Sequence, residues 1–373
     1  MELSEIREKI NAVDEALLPL FLERMRLAGE VASVKKAQGL PVTNAKRERE
    51  ILSRVSREAG DLDDYARLFY SNLFELSRSR QTRLMVEPSP GLIPAESGEP
   101  FPRAAVVACQ GIEGAYSQLA ADKAFQFADI VYMKSFDAVF QAVEKGLCRF
   151  GVLPIENSAH GSVSKVYDLM RSHRFSIVRA VKLHISHNLM SVRGAKLEGI
   201  RAVLSHEQAV GQCSAFLESL PHVEIRLCEN TAVAARTVAS SKDPSLAAIS
   251  SEECAREYNL EILRSRIQNT DNNYTRFIII EKAPNIYPGA NKLSLMFSLP
   301  NVPGSLSRVM ARFACAGLNL SKLESRPVEG TDFHYVFYAD LEASPSDPAV
   351  RALIDGLSLE LPMFSFLGAY QEV

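Results

Sequence analysis

The chain has 373 residues, 47% of them apolar and 23% charged, enough for two or three domains of about 150 residues each. Lys plus Arg number 42 against 45 Asp plus Glu, a formal charge of −3, which excludes a counterion-driven nucleic-acid binder and points to small-molecule partners. The start, MELSEIREKI, is charged from its second residue and no run approaches the roughly 18 apolar residues of a membrane span, so a cytoplasmic protein without a membrane partner is expected. Cysteines at 109, 148, 213, 228, 254 and 315 form no CxxC pair and have no histidine cluster beside them. Neither a disulfide frame nor a metal site is expected.

Residues 1–85 repeat apolar residues at helical spacing and read as all-α. Residues 86–103, VEPSPGLIPAESGEPFPR, have the composition of a proline-rich linker. From 104 to 281, short apolar runs such as AAVVAC, FGVLPI and RFIII alternate with helical segments, which predicts a parallel α/β region of two lobes, about 104–186 and 200–281, facing a cleft. Residues 291–373 read strand, helix, strand, strand, helix, strand, a ferredoxin-like α+β module.

On the first helix, Ile6, Ile10, Val13, Leu17, Leu20, Ala28 and Val31 fall in one stripe about 80° wide, the expected buried face. Arg24 and Lys35 lie in the same stripe. Unpaired buried charge is costly, so nearby acids neutralise them, an anionic ligand meets them, or their stems snorkel to water. KREREIL adds Arg47 and Glu48, and Ser77 and Gln81 are four apart on one helical face. In combination residues 3–84 resemble an all-helical chorismate mutase. The resemblance implies that Arg7, Arg24 and Arg47 hold the two carboxylates of chorismate, that Lys35 and Gln81 face its ether oxygen, that Glu48 accepts its hydroxyl and that Ser77 assists. Asn44 stands where the family commonly has an acid near that hydroxyl. Arg7 lies off the main stripe, as the family's habit of donating it to a partner chain's site implies. The rearrangement needs only a chair-like conformer and charge stabilisation on the breaking C–O bond.

In the central region, polar residues cluster where strands give way to helices: GIEGAYS with Gly111 and Gly114, PIENSAHGSV with Asn157 and Ser158, SHEQAVGQC with Ser205, His206, Gln208 and Gln212, NTAVAA with Thr231, and AAIS with Ser250. Each is an ordinary turn or N-cap, or part of an anion site. In NYTRFIII, Thr275, Arg276 and Phe277 open a very apolar strand. In this order the GxxGxYS, GVLPIENS, SHxQxxxQC and TRF segments resemble prephenate dehydratase, which has a two-lobed, periplasmic-binding-protein-like fold. The resemblance implies Thr275 as proton donor or hydrogen-bond donor to the departing hydroxyl. Arg276, Asn157, Ser158 and Thr231, with Ser205, Gln208, Phe277 and the backbone of 114–117, would bind the carboxylates and keto group. His206 stands behind the site, and His184 and His187 read as structural.

LPNVPGSLSRVM and LNLSKLESRP resemble the ACT domain attached to many prephenate dehydratases. This implies a phenylalanine site formed by Asn301, Val302, Pro303, Gly304, Ser305 and Leu306 with Asn319, Leu320, Glu324, Ser325 and Arg326 at a dimer interface; plain dimerisation is the alternative. The three resemblances together imply a cofactor-free bifunctional enzyme of phenylalanine biosynthesis, a homodimer or homotetramer, converting chorismate through prephenate to phenylpyruvate under phenylalanine inhibition. An inactive phenylalanine sensor, or a dehydratase preferring arogenate, stands beside this reading.

Overall fold

A computed structural model describes residues 2–85, 91–220, 222–328 and 334–373, so the first part of the expected linker, 86–90, lies outside the described residues. The chain forms two compact units, Met1–Pro94 with Leu293–Phe366, and Ala95–Lys292 with Leu367–Val373. The first begins with three helices, α1 (Leu3–Gln38), α2 (Ala45–Ala59) and α3 (Asp63–Met85), and both α1 and α2 pack on α3. Helix α1 stops at Gly39, whose left-handed φ of 63° lets its N–H return to the carbonyls of Lys35 and Lys36. Asn44 starts α2, its side chain accepting from Arg47 N at 3.1 Å. The expected buried stripe of α1 is buried only at Ala28; Ile6, Ile10, Val13, Leu17, Leu20 and Val31 are all at least 39% exposed in the single chain. Helical period identifies an apolar face, and the described residues leave most of it exposed.

In the second unit, β1 (Ala104–Gln110), α4 (Tyr116–Ala124), β2 (Phe127–Met133), α5 (Phe136–Glu144), β3 (Phe150–Asn157), β4 (Gly161–Ser162), α6 (Ser164–Met170) and β5 (Ser176–His184) build one lobe. The other contains β6 (Asn188–Ser191), β7 (Ala202–Ser205), α7 (Glu207–Gln212), α8 (Ser214–Glu218), β8 (Glu224–Leu227), α9 (Thr231–Ser241), β9 (Leu246–Ser250), α10 (Glu252–Glu257) and β10 (Glu261–Arg264), with sheet order β10-β6-β9-β7-β8. Strand β11 (Tyr274–Glu281) then returns to the first lobe, giving β5-β11-β3-β1-β2. The lobes are therefore not two consecutive blocks, and the sheets are mixed: β11 runs antiparallel to β3 and β5, and β6 to β9 and β10. Ile278, Ile279 and Ile280 are fully buried, which is why this strand reads as a continuous apolar run. Phe101, from the proline-rich segment, packs against Phe125, Phe150 and Tyr287 with ring centroids 5.0 to 5.6 Å apart, so residues near it are held rather than left as a spacer.

Strand β12 (Lys292–Ser298), α11 (Ser305–Cys315), β13 (Asn319–Pro327), β14 (Tyr335–Glu342), α12 (Pro348–Glu360) and β15 (Met363–Glu372) follow, with sheet order β13-β14-β12-β15. Asp347 caps α12 and Pro348 occupies its first turn. Helices α11 and α12 both pack on α3. A Cβ at Gly356 of α12 would lie 2.5 Å from Thr82 Cγ2, so that contact requires glycine. Among the described residues no helix is long and apolar enough to cross a membrane.

Candidate active sites

A cavity of about 310 Å³ in the helical segment is lined by Arg24, Lys35, Asn44, Arg47, Glu48, Ser77, Arg78 and Gln81, with Leu27, Val31, Ile51 and Phe74. The two stripe cations do not snorkel. Arg24 bends onto α3, donating to Leu73 O at 3.3 Å and to Ser77 Oγ, and lies 5.8 Å over the Phe74 ring. Lys35 Nζ donates to Gln81 Oε1 at 3.2 Å and to the Val42 carbonyl. Burial lowers the pKa of both, opposed at Lys35 by the Glu48 carboxylate, so the site favours an anion that restores the solvation these charges have lost. Asn44 Oδ1 is engaged as the α2 cap. Arg7 is exposed and does not line this cavity. Arg78 is the residue sequence reasoning missed: it donates to Glu48 at 2.6 and 2.7 Å and to Glu75. Burial opposes its charge, but the two carboxylates prevail and raise its pKa. The only signal was its place inside the SxxxQ spacing, where one more charged residue on a charged helix is unremarkable.

A second cavity, of about 450 Å³, opens between the two lobes and is lined by Asn157, Gln208, Thr231, Thr275 and Phe277, and also by Gln110, Tyr116, Ser117, His160, His187, His206, Gln212 and Asn230. Antiparallel pairing of β11 with β3 places Thr275 opposite Asn157, so the start of one strand meets the end of the other at the cleft. Asn157 Nδ2 donates to Thr275 Oγ1 at 2.9 Å and to Asn273 Oδ1 at 2.8 Å, while its Oδ1 accepts from Ala159 N and His160 N, both at 3.0 Å. With Oγ1 already accepting, the Thr275 proton can be directed to a ligand. Asn273 Nδ2 and His187 Nε2 converge on Gln212 Oε1 at 3.0 and 2.7 Å. Burial lowers the His187 pKa, with Gln212 partly opposing it; its expected structural role is joined by a place on the cavity wall. The helices α4 and α9 point their N-termini, at Tyr116–Ser117 and Asn230–Thr231, toward the same space, a favourable setting for a carboxylate. Gly114 keeps the first of these turns close to α10, since a Cβ there would lie 2.7 Å from Cys254 Sγ at a φ of 83°.

Three expected ligand residues stand elsewhere. Ser158 Oγ donates to Asn272 O and accepts from Tyr274 N, tying β3 to β11. Ser205 is fully buried and donates to Ile249 O at 2.9 Å. Arg276 projects from the face of β11 opposite Thr275 and Phe277, 3.7 Å from Glu156 and 3.8 Å from Glu372, as strand alternation requires. His206 caps α7, and His184 meets the Asp271 carbonyl outside the cavity. Among the described residues no group of His, Cys, Asp and Glu side chains is arranged to hold a metal.

Residues 6–82 match the family model described as Chorismate mutase type II, and residues 107–285 match that of Prephenate dehydratase. The bifunctional chorismate mutase/prephenate dehydratase of Escherichia coli (strain K12) is 32% identical over 377 residues, covering 98% of this chain and 95% of its own. The chain belongs to the bifunctional chorismate mutase/prephenate dehydratase family. Its helical cavity lies in the mutase domain, and its interlobe cavity lies in the dehydratase domain. An arogenate dehydratase/prephenate dehydratase of Arabidopsis thaliana is 42% identical over 281 residues, 71% of each chain. A prephenate dehydratase from Arthrobacter aurescens, solved in complex with L-Phe, superposes with a TM-score of 0.64 at 27% identity, covering 71% of this chain and 90% of its own.

Following the dehydratase domain, Asn301, Val302, Pro303 and Gly304 form the turn into α11, with Gly304 at a left-handed φ of 79° and Val302 53% exposed. Ser305 is buried and its Oγ accepts from Arg308 at 3.0 Å, and Leu306 continues the helix. Asn319, Leu320, Glu324, Ser325 and Arg326 lie on β13, at the edge of its sheet, where Asn319 Nδ2 donates to Glu342 at 2.7 Å.

Proposed function

We propose that chorismate binds in the helical cavity with its carboxylates on Arg24 and Arg47 and its ether oxygen between Lys35 and Gln81. Glu48 accepts the substrate hydroxyl, and Ser77 holds Arg24 in place beside a carboxylate. As the C–O bond breaks and the new C–C bond forms, negative charge grows on the ether oxygen, and a desolvated ammonium beside it lowers the barrier. The observation that carries this is the Lys35–Gln81 contact inside a cavity of cations. Arg7 reaches this site from a second copy, whose α1 covers the exposed apolar stripe; the enzyme is a homodimer or a pair of them.

In the dehydratase cavity Thr275 gives its proton to the departing hydroxyl as the ring C–O bond breaks, and the electrons of the bond to the lost carboxylate enter the ring. CO2, water and phenylpyruvate result, and the threonine regains its proton from solvent. Asn157 orients Thr275, and Thr231, Gln208 and the α4 and α9 N-termini hold the carboxylates and keto group. Residues 291–373 form a ferredoxin-like ACT domain that takes phenylalanine at the Pro303–Gly304 turn and β13, as a second copy packs against it. Support comes from the strand order and from the L-Phe complex of the Arthrobacter aurescens enzyme. The unpaired state of all six cysteines fits a reducing cytoplasm. The test is phenylpyruvate formation from chorismate by the purified chain, with and without phenylalanine. The plant relatives favour a second reading, that arogenate is the better dehydratase substrate, and parallel assays with arogenate and prephenate decide it.

A further inference from the structure

A chain of alternating charges runs from the C-terminal module to the wall of the mutase cavity. Glu48 lines that cavity, and one nitrogen of Arg78 donates to both of its oxygens, at 2.6 and 2.7 Å. The other side of the Arg78 guanidinium meets Glu75. Glu75 is only 2% exposed and receives Arg312 Nε of α11 at 3.2 Å. Arg312 in turn holds Glu360 of α12 at 2.6 Å. A carboxylate shielded to this degree is stable because guanidinia from two parts of the chain replace its water, and its position follows theirs. The consequence reaches the cavity. Arg78 is shared by two acids, so where Glu75 is held decides how Arg78 presents Glu48, and Glu48 released from Arg78 has Lys35 as an alternative cation on the same wall.

We propose that Arg78, Glu75 and Arg312 are positioning residues for the mutase reaction, through which the C-terminal module sets the geometry of Glu48. The proposal rests on the reading of Glu48 as acceptor of the substrate hydroxyl, a contact made in ground and transition states alike, so its disturbance appears in KM.

The test uses the full chain. Arg312→Gln and Glu75→Gln should each raise the KM for chorismate about fivefold or more, with mutase kcat held within about twofold and dehydratase kinetics unchanged. Arg312→Lys should recover most of the loss. In a Glu48→Ala background Arg312→Gln should add nothing, because the residue it positions is gone. A purely structural role would lower apparent kcat at unchanged KM, together with the melting temperature, and that result overturns the proposal. If Glu48→Ala itself leaves KM unchanged, the assignment of Glu48 fails and the proposal with it. If Glu48→Ala raises KM while folded Glu75→Gln does not, the positioning chain alone fails. Glu75→Gln preserves side-chain size and carries the test should Arg312→Gln not fold.

Discussion

Asn157 Nδ2 donates to Thr275 Oγ1 at 2.9 Å, joining the last residue of β3 to the second residue of β11 at the dehydratase cleft. Thr275→Val keeps the shape and removes the proton. Dehydratase kcat should fall by about 10² to 10⁴, with KM for prephenate little changed and mutase turnover as the internal control. Normal dehydratase turnover in Thr275→Val would remove the threonine from the chemistry.

Arg276 faces the acids Glu156 and Glu372 rather than the cavity. Arg276→Met should therefore leave KM for prephenate within about twofold, while lowering stability by about 1–3 kcal/mol through the acids left behind. Steady-state kinetics beside thermal unfolding separates the two effects. A KM raised many-fold in a fully folded variant would return Arg276 to substrate binding.

Lys35→Ala should lose about 10² to 10³ in mutase kcat, the size of one preorganised contact with developing charge. In the proposed role the acting form is the ammonium, and burial holds its pKa below that of an ordinary lysine. Mutase kcat should thus decline with rising pH earlier than free lysine titrates, while dehydratase turnover does not follow the same curve. A mutase profile that stays level through the ordinary lysine range speaks against the role.

The exposed stripe of α1 should be the contact between two copies. Leu17→Asp with Leu20→Asp should shift the sedimenting species to a smaller one and depress mutase activity, since Arg7 then has no partner site to enter. Persistence of the wild-type assembly, with full mutase activity, would place the subunit contact elsewhere.

Gly304 caps α11 at a φ of 79° with nothing nearer than Arg308 at 3.7 Å around a built Cβ. Space is available, so the strain of Gly304→Val lies in the backbone, which a β-branched residue rarely adopts there. Phenylalanine inhibition of the dehydratase should be released while uninhibited turnover stays near normal. Titrating phenylalanine against both activities is the measurement, and undiminished inhibition would relocate the effector site.

Much of this was legible in the residues. The placement of Arg24 and Lys35 in an apolar stripe needs only the helical period, and the runs AAVVAC, FGVLPI, RAVLSH and RFIII each became a strand because apolar runs this short, bounded by turns, fit a buried strand better than a helix. The same local rules could not say which strands are neighbours. An apolar run carries no record of its partners, so the return of β11 to the first lobe, and with it the meeting of Thr275 and Asn157, was decided by tertiary pairing alone. That pairing also chose the face: once Thr275 looks into the cleft, Arg276 must look away. Ser158 and Ser205 went to backbone carbonyls because a short hydroxyl satisfies a nearby peptide as readily as a ligand. The stripe of α1 showed that something must cover it, but periodicity does not distinguish cover within a chain from cover by another. Arg78 was hidden for the opposite reason: its sequence context is that of a solvated helix, and only the approach of α2 and α11 to α3 turns it into a buried link between two acids.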